Sequence, residues 1–364
     1  MMRPSKKIAL IVPGGLGTGE NNIGVPVLEQ IVKLLSTQFE VTVFQLFKVN
    51  DSYYAKGFRL LDFKSGNKII QYFNFSRSFY RENKKNKFVA VHGFWVWPCG
   101  VLAVVFGKVF KIKSIVSVLG GDASSLPELG YGHLHKFLDR TIILWATRKS
   151  DEATALTNYL AKNLFQAGLK RKLKIIPWGV DQHLFQFRKR TTQYPLRFLQ
   201  IANLSPVKDQ VTLLQAFEII HQSIPSHLTI IGEGTEEQKI RNLIDRLDLR
   251  NAVTISGHVP YSQLPKYYHQ SDVLLHTSRS EGQSEVVTEA ISCGTLVAGT
   301  EVGLIHDFPE FCVCVEVGDY KSLAKNVLAL LNDTERMNDH RTKAHRWANE
   351  HSLQWTVSRM IELY

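Results

Sequence analysis

Two glutamates lie eight residues apart in a segment whose pattern predicts a strand, a loop and a helix. Residues 271–278, SDVLLHTS, form an apolar run that ends in small polar residues, which is typical of a buried strand opening into a loop. Ser284 then suits the N-cap of a helix that ends before Gly294. Glu281 lies in the loop and Glu289 about one turn inside the helix, so the carboxylates can reach different hydroxyl groups of one ligand.

The first backbone amides of this predicted helix have no acceptors within the helix and carry the positive end of its dipole. In a doubly wound fold such a helix begins at the carboxyl end of a parallel strand, where phosphate groups bind. Carboxylates for sugar hydroxyl groups beside amides for phosphate would suit a nucleotide sugar.

This segment resembles the E-x7-E motif of glycosyltransferase family 4, a large family of retaining enzymes with the GT-B fold. The resemblance implies that Glu281 contacts the donor sugar and that Glu289 hydrogen-bonds the nucleotide ribose. It implies that the loop of Gly282, Gln283 and Ser284 holds the phosphates. The donor would be a UDP-sugar or GDP-sugar, and neither a metal ion nor a further cofactor is expected.

A second segment, NLSPVKD at 203–209, resembles the family segment that precedes a helix after the first strand of the second domain. Lys208 matches a lysine that pairs with the donor diphosphate. A fixed ammonium stabilises the charge that develops on the leaving diphosphate. Asn203 stands where the family usually has an arginine, so either Asn203 hydrogen-bonds the phosphate or another residue supplies the charge.

Further segments match the family pattern around the donor. Residues 255–259, ISGHV, are similar to the place where the family's backbone contacts the nucleotide base, which assigns Val259 to the donor site. Gly15 follows the first predicted strand, where a backbone without side chains can approach a phosphate closely. Residues 175–185, IIPWGVDQHLF, resemble the family signature at the end of the first domain, whose role is mainly architectural.

The acceptor side departs from the family pattern at one residue. Residues 116–122, VSVLGGD, stand where many members have a histidine near the reacting sugar carbon, and Leu119 takes its place here. Gly121 and Asp122 keep the rest of the pattern. His92 follows the predicted strand KFVAV, and we assign it to this side together with Gly121 and Asp122. The alternative for His92 is a structural histidine whose ring nitrogens are hydrogen-bonded within the protein.

Two series of apolar, β-branched runs alternate with helical or loop segments along the chain. This alternation argues for parallel sheets with helices on both faces, and two complete series argue for two domains. The first series is KKIALIVPGG, EVTVFQLF, KFVAVHGF, KSIVSVLGGD, DEATALT and KLKIIPWGV, and the second is RFLQIANL, SHLTIIGEG, AVTISGHV, SDVLLHTS, TLVAGTE and CVCVEVGD.

The predicted fold class is α/β, and the resemblance implies GT-B architecture with two Rossmann-like domains facing a central cleft. We predict an N-terminal acceptor-binding domain at 1–185 and a C-terminal nucleotide-sugar-binding domain at 186–342. A C-terminal helix at 343–364 is predicted to cross back to the first domain. Residues 182–194, rich in Arg, Lys and Thr, form the predicted linker.

The bulk composition is that of a soluble globular protein, with 44% hydrophobic and 21% charged residues among 364. The apolar run near the N-terminus is cut short by Pro13, which favours a first strand over a signal peptide. The apolar stretch 93–110 is interrupted by Pro98 and Lys108 and is too short to span a membrane. We therefore predict a cytoplasmic protein. Its four cysteines lie in apolar runs and predict buried thiols rather than a metal site.

The net charge of +11 conceals an asymmetry between the two halves. Residues 1–190 contain 29 Lys and Arg against 12 Asp and Glu, whereas residues 191–364 contain 15 against 21. The halves thus carry +17 and −6, and Lys84, Lys85 and Lys87 form one of the cationic clusters. A cationic first domain suits an acidic acceptor or peripheral attachment to an anionic membrane, and its alternative is a solvated, solubilising face. Nucleic acid is not expected as a partner.

Together these features predict a retaining hexosyltransferase that moves a sugar from a nucleoside diphosphate to an acceptor hydroxyl group. A glycan or lipid-linked acceptor would place it in cell-surface polysaccharide or glycolipid synthesis. One alternative is a nucleotide-sugar epimerase or hydrolase. Another is a non-catalytic GT-B-like binding protein, which would accord with the replacements at Leu119 and Asn203.

Overall fold

A computed structural model describes residues 6–18, 24–189 and 194–364. The chain divides into two compact units. Part of the predicted linker, 190–193, lies outside the described residues. Unit 1 contains the described residues up to Ser125, Gly132–Trp178 and Leu353–Tyr364, and unit 2 contains Leu126–Tyr131 and Gly179–Ser352.

The described residues of the first half of the chain form nine strands and five α-helices. The strands are β1 Lys7–Val12, β2 Glu40–Gln45, β3 Arg59–Asp62, β4 Phe88–Phe94, β5 Lys113–Val118, β6 Ser125–Leu126, β7 Tyr131–Gly132, β8 Glu152–Ala155 and β9 Lys174–Ile175. The helices are α1 Pro26–Leu35, α2 Lys68–Lys85, α3 Val101–Phe110, α4 Phe137–Lys149 and α5 Asn158–Gln166.

Unit 1 is built on a parallel sheet of seven strands in the order β3-β2-β1-β4-β5-β8-β9. Every residue of β1 is buried, and its alternate side chains point to opposite faces. Ile8 and Leu10 join a core with residues of α1, while Ala9 and Ile11 join a second core with residues of α2 and α3. Helices therefore cover both faces of this sheet, as predicted for a doubly wound domain.

From residue 194 onward, where every residue is described, the chain forms six strands and eight α-helices. The strands are β10 Leu196–Ile201, β11 Ser226–Ile231, β12 Val253–Ile255, β13 Val273–His276, β14 Leu296–Thr300 and β15 Cys312–Val315. The helices are α6 Gln210–Ser223, α7 Glu237–Arg246, α8 Leu264–Gln270, α9 Glu285–Cys293, α10 Gly303–Asp307, α11 Tyr320–Leu331, α12 Thr334–Glu350 and α13 Leu353–Ile361.

Unit 2 has a parallel sheet of six strands in the order β12-β11-β10-β13-β14-β15. All twelve predicted strands are present in the two sheets, and the predicted α/β class with two Rossmann-like halves is confirmed. The sequence patterns missed β3 and the small β6-β7 pair, which are short and carry few buried residues. Among the described residues, no helix has the length and apolar character needed to cross a membrane.

The last helix, α13, belongs to unit 1, as predicted, and packs against α1. Its anchor is a buried polar network at the end of the chain. Tyr364 Oη is 2.9 Å from His92 Nδ1, and His92 Nε2 is 2.7 Å from the Ser117 hydroxyl, which hydrogen-bonds Thr154. Burial lowers the pKa of His92 to about 3, so the ring is neutral at physiological pH.

We expect Tyr364→Phe to lower the free energy of unfolding by about 1 to 2 kcal/mol, because it leaves the buried Nδ1 of His92 without a partner. Tyr80→Phe removes the same hydroxyl group from an exposed side chain of α2 and serves as the control. Denaturant unfolding of both variants checks this, and equal midpoints for the two would contradict it.

Candidate active site

The loop between β13 and α9 carries the residues first singled out in the sequence. Ser284 occupies the N-cap position of α9 and Gly294 its C-cap position, as predicted. The Ser284 side chain, however, makes no capping hydrogen bond, and its backbone has φ of +74°. This region of backbone space is uncommon for a residue with a side chain. Ser284 therefore turns the chain into the helix through its backbone rather than through its hydroxyl group.

Glu281 and Lys208, the two predicted catalytic residues, form an ion pair. Lys208 Nζ is 2.5 Å from Glu281 Oε1, and the two side chains are 25% and 11% exposed. The buried ring of His276, at the end of β13, places Nε2 3.1 Å from the same carboxylate oxygen. Burial raises the pKa of Glu281, but the Lys208 ammonium and the His276 ring outweigh it and hold the carboxyl below its usual pKa. Glu281 is thus a carboxylate at physiological pH.

Sequence reasoning missed His276 as a site residue. The only signal for it was a histidine that ends an otherwise apolar strand, in the run SDVLLHTS.

Backbone contacts hold the two loops that carry this ion pair against each other. The Thr277 hydroxyl donates to the carbonyl oxygens of Lys208 and Asp209, and the Arg279 amide donates to the Val207 carbonyl at 2.8 Å. Asp209 in turn caps α6 by accepting from the Thr212 amide. The loop that presents Glu281 therefore also positions Lys208.

Glu289 lies in a separate, more enclosed environment one turn into α9. Glu289 as a whole is only 3% exposed, and its Oε2 accepts a hydrogen bond of 2.6 Å from the Tyr268 hydroxyl. Burial raises the pKa of Glu289 to about 7, against the hydrogen bonds from Tyr268 and Tyr261, which lower it. Two tyrosine hydroxyl groups thus orient a carboxyl that exchanges its proton near neutral pH.

Glu285 is a third acidic residue in this group, and sequence reasoning did not single it out. It is the first residue of α9 and is largely buried. Burial and the neighbouring charges of Glu289 and Glu281 together raise its pKa to about 8, whereas Lys208 lowers it. The signal was its position four residues from each of the two predicted glutamates, which places all three carboxyl groups near one another.

Gln283 and Gly303 fix the shape of the predicted phosphate loop. The side-chain amide of Gln283 donates to the Thr288 hydroxyl at 2.8 Å. The backbone carbonyl of Gln283 accepts from the Leu304 amide at 3.0 Å. Gly303 has φ of +54°, and a Cβ atom there would lie 2.7 Å from the Gln283 carbonyl oxygen and 3.0 Å from Glu281 Cβ. Only glycine fits at this close approach. Gly282 is also buried in this loop.

The other donor-side residues lie in loops at the ends of neighbouring strands. Asn203 follows β10 and is exposed, and its carbonyl accepts from the Ser205 amide at 3.0 Å. Val259 follows β12 and is half-buried. Since the strands of this sheet are parallel, both loops emerge at the edge that carries Glu281.

Gly15 lies in unit 1, in the loop after β1. It has φ of +103°, and a Cβ atom there would lie 3.1 Å from Val25 Cγ2. Its amide donates to the Thr18 hydroxyl at 3.2 Å. The residues that follow, 19–23, lie outside the described residues.

The predicted acceptor-side group is occupied by structural contacts in unit 1. His92 is fully buried with both ring nitrogens hydrogen-bonded, which favours the structural alternative for this histidine. Asp122 is 2% exposed and accepts from the amides of Val96 and Trp97, so its carboxylate holds the backbone after β4. Burial raises the pKa of Asp122. Gly121 accepts from the His133 amide through its carbonyl.

The sequence and the fold of this chain are similar to those of known glycosyltransferases. Residues 182–347 match a family model described as Glycosyl transferases group 1. Sucrose-phosphate synthase from Thermosynechococcus elongatus aligns with a TM-score of 0.82 at 17% identity, covering 99% of this chain and 98% of that one. Anabaena HepE, solved with UDP and glucose, aligns with a TM-score of 0.76 at 17% identity over 98% of both chains. At this identity the likeness establishes the GT-B fold.

The chain is also 24% identical over 271 residues to N-acetyl-alpha-D-glucosaminyl L-malate synthase of Bacillus anthracis. The match covers 70% of this chain and 67% of that protein. The chain spans about half or less of the length of several other glycosyltransferases that it matches. The chain has the GT-B fold. In this GT-B chain the matched region contains Lys208, Glu281, Glu285 and Glu289.

Lys208→Ala should lower kcat/KM for sugar transfer by about 100-fold or more, since an ammonium that stabilises a leaving group contributes on this scale. The free energy of unfolding should fall by on the order of 1 to 3 kcal/mol, because Glu281 loses one of the two groups that offset its burial. Lys239→Ala, which breaks an exposed pair with Glu236 on α7, is the control and should keep full activity. A Lys208→Ala variant with normal turnover would remove this lysine from the mechanism.

The raised pKa of Glu285 predicts a pH-dependent stability. Its carboxyl titrates near the ordinary 4.5 when unfolded and about 8 when folded, so the folded state holds an extra proton between these values. The free energy of unfolding should therefore fall as pH rises through this window. Glu285→Gln should reduce that fall and gain on the order of 1 kcal/mol at pH 8 relative to the unaltered protein.

Unfolding by denaturant at several pH values measures this effect, with the exposed Glu237→Gln of α7 as the control. A Glu285→Gln variant with the same pH profile as the unaltered chain would show that Glu285 is not held in its protonated form.

Proposed function

We propose that this GT-B chain transfers a sugar from a nucleoside diphosphate sugar to an acceptor hydroxyl group, in the manner of glycosyltransferase family 4. The observation that carries the proposal is the ion pair of Lys208 and Glu281 beside the N-terminus of α9. It joins a cation for the diphosphate, an acceptor for sugar hydroxyl groups and helix amides for phosphate at one sheet edge. HepE, which shares the fold, is solved with UDP and glucose, and this supports a nucleotide-sugar donor.

The residues of the group divide between the parts of such a donor. Glu281, held ionised by Lys208 and His276, accepts hydrogen bonds from the hydroxyl groups of the transferred sugar. Glu289, oriented by Tyr268, meets the ribose hydroxyl groups. Lys208 and the first amides of α9 stabilise the diphosphate as it leaves. The motif match of Glu281 and Glu289 to E-x7-E supports this division.

Retention at the anomeric carbon is part of the proposal. The glycosidic bond to the diphosphate breaks through an oxocarbenium-like state, and the acceptor oxygen forms its bond on the same face. The leaving diphosphate takes the acceptor proton, so an enzyme nucleophile is not required. Lys208 lowers the energy of the anion formed in this step.

The acceptor is proposed to be a glycan or lipid-linked hydroxyl group at an anionic membrane surface, in cell-surface polysaccharide or glycolipid synthesis. The net charge of +17 in residues 1–190 supports an acidic acceptor or surface.

Glu289→Ala should weaken binding of the free nucleoside diphosphate, whereas Glu281→Ala should leave that binding within about twofold and lower turnover by about 100-fold. The reason is that one carboxylate meets the ribose and the other the sugar. Calorimetry with UDP and GDP measures binding, and product analysis with and without acceptor measures transfer. Glu237→Ala on the exposed face of α7 is the control.

Three outcomes would overturn the proposal. Full transfer activity in Glu281→Ala would remove the motif assignment. Sugar release or epimerisation without transfer would favour the hydrolase or epimerase. Nucleotide binding without turnover of any UDP-sugar or GDP-sugar would favour a non-catalytic binding protein.

A further inference from the structure

Helix α2 of unit 1 has apolar side chains on both of its faces. The inner face packs Phe75 and Phe79 into the core behind the sheet. The outer face carries Ile69, Phe73 and Tyr80, which are 79%, 64% and 51% exposed. These three residues are spaced by four and seven positions and therefore share one stripe of the helix. The solvent face of an ordinary surface helix is polar at such positions.

The same outer face is cationic. Arg77, Arg81 and Lys84 are exposed between and beside the apolar positions. The single acidic residue of α2, Glu82, is buried on the opposite face, where it pairs with Lys85 at 2.9 Å. Lys85 is therefore paired with Glu82. Of the cluster Lys84, Lys85 and Lys87 inferred from the sequence, Lys84 belongs to the cationic outer face of α2.

Helix α3 and the end of α4 extend this surface. The Phe110 ring at the end of α3 lies 6.3 Å from the Tyr80 ring, and Val109 beside it is 67% exposed. Lys108 Nζ lies 5.3 Å from the ring of Trp145 in α4. We call this the α2–α3 surface, and its members are Ile69, Phe73, Tyr80 and Val109 with the cations Arg77, Arg81, Lys84 and Lys108.

The charge of the three helices is one-sided. Helices α2, α3 and α4, all of whose residues are described, contain nine Lys and Arg against two acidic residues. One of these acids is the buried Glu82, and the other, Asp139, lies 2.9 Å from His133 Nδ1. An occupant of this surface must therefore be anionic, and it must also accept large apolar side chains.

These two requirements together select a lipid surface. Nucleic acid would satisfy the cations through its phosphates, but exposed aliphatic side chains such as Ile69 and Val109 give it neither hydrogen bonds nor flat stacking surfaces. At a bilayer, aliphatic and aromatic groups enter the boundary between headgroups and acyl chains, while Lys and Arg extend to the lipid phosphates.

We propose that unit 1 docks on an anionic phospholipid membrane through the α2–α3 surface, with Ile69, Phe73 and Val109 entering the interfacial region and the surrounding cations contacting phosphates. This inference deepens the membrane part of the proposed function. It does not depend on sugar transfer, because none of the donor-site residues in unit 2 is part of the surface.

Co-sedimentation of the full chain with vesicles tests the proposal in the absence of any nucleotide sugar. Vesicles of phosphatidylcholine mixed with phosphatidylglycerol should bind the protein, and phosphatidylcholine alone should bind it at least about tenfold more weakly. Binding should fall as salt rises. The double variants Ile69→Ser with Phe73→Ser, and Arg77→Glu with Lys84→Glu, should each lower binding by about tenfold or more.

Matched controls lie elsewhere on unit 1. Phe165→Ser removes a side chain of α5 that is 70% exposed, and Lys170→Glu with Lys172→Glu reverses two exposed charges. Both controls should bind vesicles within about twofold of the unaltered chain. Thermal shift by UDP or GDP should be unchanged in every variant, which separates this test from that of the donor site.

Equal binding to neutral and anionic vesicles, equal losses in the controls, or failure to bind vesicles would each overturn the proposal. Failure to bind vesicles together with salt-sensitive binding of a single-stranded oligonucleotide would instead assign the surface to nucleic acid.

Discussion

The order of strands in the sheet of unit 2 constrains everything proposed for its site. β10 and β13 are neighbours in this sheet, and the chain winds outward from them in opposite directions. The loops after β10 and β13 therefore leave the sheet next to each other at the same edge. The first of these loops carries Lys208 and the second Glu281. The Thr277 hydroxyl and the Arg279 amide then bind the first loop back to the second. Cation and carboxylate meet because the topology brings their loops to one point.

At that point the burial of charge governs the chemistry. Glu281, Glu285 and Glu289 lie within nine residues of one another in sequence, and they differ in protonation state. Glu281 is ionised because Lys208 and His276 offset its burial, whereas burial and like charges raise the pKa of Glu285 to about 8. Separated pKa values among neighbouring carboxyl groups are common at functional sites. The group therefore holds protons at neutral pH that a solvated cluster of acids would release.

Periodicity predicted the two sheets because buried parallel strands are nearly continuous apolar runs, as in β1 and β13. It could not predict β3, whose four residues are largely exposed at a sheet edge. Motif resemblance singled out Glu281, Glu289 and Lys208, and the structure brings two of them, Lys208 and Glu281, together as an ion pair. The role of His92 depended on side chains 25 and 272 residues away, Ser117 and Tyr364, and sequence spacing contains no information about such contacts.

The residues that depart from the family pattern bear on how a diphosphate would be held. Leu119 is 8% exposed within the core of unit 1, so its side chain contributes to packing. Asn203 brings no charge to the loop that carries Lys208. The lysine must then offset both Glu281 and an incoming diphosphate. Protons on Glu285 and Glu289 reduce that burden, and the amides of α9 add a positive dipole. Donor affinity in this chain should therefore depend more on carboxyl protonation than it would if Asn203 were an arginine.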